Sequence, residues 1–190
     1  MKHRFLLSFL LLSAISLHAA NQYVSPSGDD AQDGSSWATA KQSIQSAIDA
    51  ATDGDTIFVA EGTYNQSIAA KQGIHVLGGY SAATGERNPE AYSTILDGTG
   101  LEKALIRQNS SFNTITYFDG LVLQNANHSS NGGAVVLKAN GVLNSCSIRD
   151  CYTSGSGGAV HNSGGTVANC LIELCESMGA GGAVHNIGGL

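Results

Sequence analysis

Four cysteines fall within a thirty-residue stretch as CSIRDC, with Cys146 and Cys151, and CLIELC, with Cys170 and Cys175. Paired thiols suggest zinc, but zinc sites take closely spaced Cys/His pairs, and four intervening residues with no second ordered pair miss that spacing. A strand-to-strand stack of these positions is within disulfide reach. The plainer use of such a column is a small buried apolar side chain. His161 and His185 stand 24 apart, each followed by an asparagine, Asn162 or Asn186. Imidazoles so placed invite a metal ladder, while an outer or turn-facing column of His and Asn needs no ligand. Asp29, Asp30 and Asp33 in SGDDAQDG offer calcium the hard oxygens it takes, or they are acceptors of an Asx- and Gly-rich turn.

Polysaccharide cleavage needs convergence: a lyase wants a Lys or Arg base beside carboxylates, and a hydrolase wants paired acids. Lys103, Arg107, Lys138 and Arg149, and Asp97, Asp119 and Asp150, share no period. No Gly-x-Ser-x-Gly elbow occurs, and no glycine run opens a helix with a lysine to cradle phosphate. The sequence therefore assigns no catalytic, cofactor-binding or metal-ligating residue, and no cofactor.

What must position these residues is a repeat. GGAVVL at 132–137, GGAVHN at 157–162 and GGAVHN at 181–186 recur at offsets of 25 and 24 residues, and the two cysteine hexapeptides keep the same 24-residue offset. Two registers in agreement mark a stacked repeat whose units bury one core together. Short apolar runs closed by Gly, Asp or Asn, such as TIFVA at 56–60, IHVL at 74–77, TIL at 94–96, ALI at 104–106 and LVL at 121–123, read as strands separated by tight turns. Leucine-rich repeats would need a helical return, which no unit contains. The fold expected is all-β, a right-handed parallel β-helix of about 24–25 residues per coil, with Ala and Val of GGAV pointing into the core.

One segment reads as helix. Thr39 with Gln42 fits a capping box, and Ile44, Ala47, Ile48 and Ala51 follow at helical spacing until Gly54. Residues 21–55 are read as an N-terminal cap containing this amphipathic helix, with Trp37 packed into it, because an open β-helix end exposes apolar cross-section and unpaired strand edges. Residues 56–190 are read as the coils. The sequence stops in mid-unit at GGL, 188–190, so further coils are expected beyond it.

Residues 1–20 carry Lys2 and Arg4, an apolar run over 5–12 and small Ala19 and Ala20, the layout of a signal peptide. Removing it leaves seven basic against fifteen acidic residues, a formal charge of −8. That balance argues against nucleic acid as a partner. No later segment has transmembrane length.

The stretches YVSPSGDDAQDGSSWATA at 23–40, GDTIFVAEGTY at 54–64, GGY at 78–80, TGERNPE at 84–90 and TILDG at 94–98 resemble the opening of bacterial cell-surface β-helix proteins of the pectin-lyase-like superfamily. The GGAV units resemble the GGA[IV] repeats of polymorphic outer-membrane proteins, although the phenylalanine expected between those units is missing around Leu143, Asn144 and Asn169. The resemblance implies a secreted or surface-displayed protein acting as an adhesin-like platform or stalk, with polysaccharide or neighbouring cell-surface molecules as partners. It also implies an alternative, a polysaccharide-degrading or carbohydrate-binding β-helix with its site on one face.

Overall fold

The computed structural model describes residues 19–188. The signal peptide expected over 1–20 lies, apart from Ala19 and Ala20, outside the described residues, as do 189–190. Among the described residues the fold is all-β with parallel pairing and one α-helix. Sheet I contains Asn21–Val24, Thr56–Ala60, His75–Tyr80, Thr116–Asp119, Gly141–Asn144 and Thr166–Ala168. Sheet II contains Gly62–Tyr64, Thr94–Asp97, Leu121–Gln124, Ser147–Arg149 and Leu171–Glu173. Sheet III contains Ile68–Ala69, Ile106–Arg107, Val135–Lys138, Val160–Ser163 and Val184–Asn186, and the two-residue strands Asn127–His128, Tyr152–Thr153 and Glu176–Ser177 form sheet IV. From Thr116 onward the chain visits I, II, IV and III in that order and starts again, adding one strand to each sheet per circuit. This is compatible with a β-helix.

Register explains the core. Ile57, Val76, Phe118 and Leu143 lie opposite one another along sheet I. Leu96, Leu123 and Ile148 do so along sheet II, and Ile68, Ile106, Val135 and Val160 along sheet III. All of these side chains are buried and belong to one cluster. Neighbouring strands lie about 4.8 Å apart, so each ladder is a continuous apolar column. Each buried aliphatic side chain in it contributes about 1.5–3 kcal/mol of transfer free energy.

The GGAV motif does specific work in sheet III. Its first glycine takes positive φ, +75° at Gly132 and +78° at Gly157, where an L side chain is strained. Its second glycine permits close stacking. The Ala159 carbonyl then accepts from both Ala134 N and Val135 N, and the Ala183 carbonyl from both Ala159 N and Val160 N. One acceptor serving two successive donors is a bulge-like irregularity. It accounts for Ala and Val, adjacent in sequence, both being buried at 134–135 and 159–160.

The cysteines sit at corners. Ser145, Asp150, Asn169 and Leu174 have φ of 48°, 53°, 53° and 50°, and each precedes a cysteine. Every thiol donates back across its corner, Cys146 to Asn144 O and Cys170 to Ala168 O at 3.2 Å, Cys151 to Arg149 O at 3.1 Å and Cys175 to Glu173 O at 3.2 Å. A small apolar side chain with a weak donor thus fills the corner and adds a contact to carbonyls that, at Asn144, Ala168 and Glu173, already accept from Gly120 N, Ser145 N and Asp150 N.

The N-terminal segment differs from expectation in two respects. Asn21–Val24 is not only part of a cap, because it is the first strand of sheet I, opposite Thr56–Ala60. The helix is Ile44–Ala50, and its N-cap is Ser43, whose side chain accepts from Ser46 N. Thr39 ends a 3-10 turn, Trp37–Thr39, capped by Ser36, so the Thr39–Gln42 capping box does not form. The apolar spacing was the reliable signal: Ile44, Ala47, Ile48 and Ala51 are all buried. At the other end Lys71 Nζ donates to the carbonyls of Ile48, Asp49 and Ala51, placing a cation on the helix's unpaired acceptors.

Candidate functional site

Strand alternation in sheet III buries Val135 and Leu137 and leaves Val136 and Lys138 on the outer side. In register along that outer face come Ala69, Arg107, Val136, His161 and His185. Arg107, Lys138 and His161 line a groove of about 390 Å³, whose other wall includes His128 and Asn131. Lys138 Nζ donates to Asn109 O at 2.6 Å, and Arg107 Nε to Ser67 Oγ at 3.2 Å, which fixes both stems and leaves further N–H groups on each head. His128 Nδ1 lies 3.0 Å from Gly132 O. A carbonyl only accepts, so Nδ1 carries the proton and Nε2 is the ring's remaining polar atom.

The groove is cationic within an acidic chain. Among the described residues the one ion pair is Arg87–Asp119, which lies elsewhere, so no carboxylate pairs with Arg107 or Lys138. Burial pushes the His161 pKa down, and the neighbouring His185 and Lys138 push it the same way. The His161 and His185 rings stack at 5.2 Å between centroids, tilted by 54°. Their asparagines do not share that outer column: Asn162 is buried, bonds Gly165 N and O, and donates to Asn186 Oδ1 at 2.9 Å. Alternation along the strand separates imidazole from amide, so of the outer or turn-facing column of His and Asn the histidines take the outer side and Asn162 bonds the turn backbone at Gly165 from the buried side.

The remaining candidates disperse. Cys146 stacks under Cys170 and Cys151 under Cys175, all four as free thiols, the first of each pair buried and the second half-buried. The Cys146 thiol beside it lowers the Cys170 pKa against the opposing effect of burial, while burial above all pushes Cys146 well up. Among the described residues no group of three or more His, Cys, Asp or Glu is placed to hold a metal.

The three N-terminal aspartates serve separate tasks. Asp29 accepts from Ala31 N and Asp33 from Ser35 N, both at 2.9 Å. Asp30 accepts from Gln42 N, Ser43 N and Ser43 Oγ at 2.8–2.9 Å and so holds the start of the helix.

Asp97 accepts from Thr99, Gln124 and Asn125, and Gln124 in turn accepts from Arg149. Asp119 bonds Arg87 and Asn144, and Asn169 extends that ladder. Lys103 lies exposed in a turn and Asp150 at a corner of positive φ. Trp37 packs against the outer face of sheet I, 4.9 Å from Tyr23 and 5.9 Å from Tyr80 by ring centroids.

Of the basic residues singled out in the sequence, the fold brings Arg107 and Lys138 together with His161 and leaves Lys103 and Arg149 outside. His128 and Asn131 were missed: His128 ends a two-residue strand of sheet IV, opposite Thr153 rather than another histidine, and Asn131 lies in the loop that follows it. Aligning the GGAV units would have placed Val136, His161 and His185 in one column.

No helix among the described residues is long and apolar enough to cross a membrane. No protein-family model matches the chain, and no curated protein or solved structure shows significant similarity to it.

Proposed function

We propose that the chain is a right-handed parallel β-helix of the pectin-lyase-like kind, with repeats akin to those of polymorphic outer-membrane proteins, that is secreted or displayed at the cell surface as a non-catalytic adhesin-like platform or stalk. The observation that carries this reading is the identity of two registers. The 24–25-residue spacing of GGAV in the sequence is the spacing at which Val135, Val160 and Val184 lie opposite one another in sheet III. Each circuit thus repeats its outward residues in straight columns, which suits a rigid extended surface. The acids singled out for catalysis, Asp97 and Asp119, are engaged in ladders along the stack, a supporting role.

The test is to express the chain with its own leader in a Gram-negative host. Protease accessibility on intact cells and adhesion to glycan-coated surfaces are then followed, and the same glycans are assayed for new reducing or unsaturated ends. External display with adhesion and no new ends is expected. Retention inside the cell sinks the display reading, and depolymerisation establishes the enzymatic alternative.

A further inference from the structure

We infer that the groove on the outer face of sheet III is a binding site for an oxyanion substituent, carboxylate or sulfate, carried on a glycan. Three observations point there. First, Arg107, Lys138, His128 and His161 converge on one groove of about 390 Å³, although the chain is acidic overall, so the convergence runs against composition. Second, among the described residues neither Arg107 nor Lys138 has a carboxylate partner, whereas the structure does pair Arg87 with Asp119 where a cation is used structurally. Third, both heads are held by their own scaffold, Lys138 by Asn109 O and Arg107 by Ser67 Oγ. Pre-set donors lose less freedom on binding than mobile surface side chains do.

The chemistry follows from the donors. Arg107 retains its terminal guanidinium N–H groups, which match the two oxygens of a carboxylate or sulfate. Lys138 supplies a point charge two residues along the neighbouring strand, on the same outer face. Between them lies the apolar Val136, opposite Arg107 and His161 in the ladder, a surface for the non-polar face of a sugar ring. Asn131 on the opposite wall adds an amide able to bond a hydroxyl. Successive strands are about 4.8 Å apart, so Arg107 and His161, on strands either side of Val136, are spaced along the stack like two contacts on one extended chain.

The setting of this site rests on the surface-display reading, but the binding is a property of the purified chain and is measured without cells, so the two fail separately. The full chain is titrated at low salt with dextran sulfate, alginate and neutral dextran, using interferometry on immobilised protein. Binding of dextran sulfate or alginate, with neutral dextran silent, is expected, and which of the two binds identifies sulfate or carboxylate as the recognised group.

Arg107→Ala and Lys138→Ala should each weaken that binding about tenfold, as expected for loss of a charge-assisted contact. Arg149→Ala, which removes an equal charge from sheet II, should leave it unchanged, with circular dichroism confirming that all variants stay folded. No binding to either anionic probe overturns the site. So does binding that survives Arg107→Ala and Lys138→Ala, or that falls equally in Arg149→Ala.

Discussion

Gly133 lies so close to Gly158 that a Cβ built on the former would stand 1.9 Å from the carbonyl oxygen of the latter. Gly158 repeats the relationship with the Gly182 carbonyl at 1.9 Å. Backbone stacks on backbone here, and no side chain fits. Gly158→Ala must therefore push two strands of sheet III apart, at a cost of about 3 kcal/mol, the upper end of ordinary overpacking, because the obstacle is main chain. Urea denaturation of this variant against the parent checks this, and equal midpoints would mean that the GGAV strands do not stack in this register.

The thiol columns predict an order of reactivity. Cys170 is half-buried, with its pKa lowered by the neighbouring Cys146 thiol, whereas burial holds Cys146 protonated. Thiolate is the nucleophile. Iodoacetamide at neutral pH should therefore label Cys170 well before Cys146, read by peptide mass spectrometry. Removing the neighbouring thiol in Cys146→Ala should return the Cys170 pKa toward its ordinary value and shift its labelling profile to higher pH. Equal labelling of the two thiols in the parent would contradict the stacked pair.

Acid sensitivity should have an identifiable contribution from Asp97. Burial works to raise its pKa, but hydrogen bonds from Thr99, Gln124 and Asn125 outweigh it and hold the value at about 2. A carboxylate depressed in the folded state stabilises above its unfolded pKa of about 3.9, and that contribution is lost as pH falls toward the folded value. Asp97→Ala should thus be less stable than the parent by about 1–2 kcal/mol at neutral pH, the scale of bonds to a charged acceptor. The gap should close between about pH 4 and pH 2. Thermal melts across that range decide it, and a gap independent of pH would assign the loss to packing.

The second half of the molecule was legible because its period in sequence is its register in space. Val135, Val160 and Val184 announce each other, as do the cysteine corners. The first half was not, because its partners are unevenly separated: Thr56 lies opposite His75, but His75 lies opposite Tyr117. Between the latter two the chain leaves sheet I, and Arg87 returns to bridge Tyr80 and pair with Asp119. The groove was half legible for the same reason. His161 falls in the periodic region, whereas Arg107 reaches the same column through an irregular circuit, and His128 comes from a two-residue strand of sheet IV whose next residue in the stack is Thr153.

The helix start shows the same division between pattern and context, and it makes the sharpest local test. Thr39 and Gln42 satisfy the capping-box spacing, yet Ser36 captures Thr39 N in the 3-10 turn at 3.3 Å, and the next residue but one, Lys41, bridges Val24 at the edge of sheet I. The chain is thus committed to extended backbone until Ser43, whose hydroxyl oxygen accepts from Ser46 N at 3.2 Å and whose own N–H and hydroxyl are held by Asp30. Loss of an N-cap side chain costs about 1 kcal/mol. Ser43→Ala should lower stability by about that amount, and Asp30→Ala, which removes three acceptor contacts at the same helix start, by at least as much. Gln42→Ala retains the backbone N–H that Asp30 accepts and should be nearly silent. If calorimetry shows Gln42→Ala or Thr39→Ala to be costly and Ser43→Ala silent, the helix begins where the sequence pattern alone would put it.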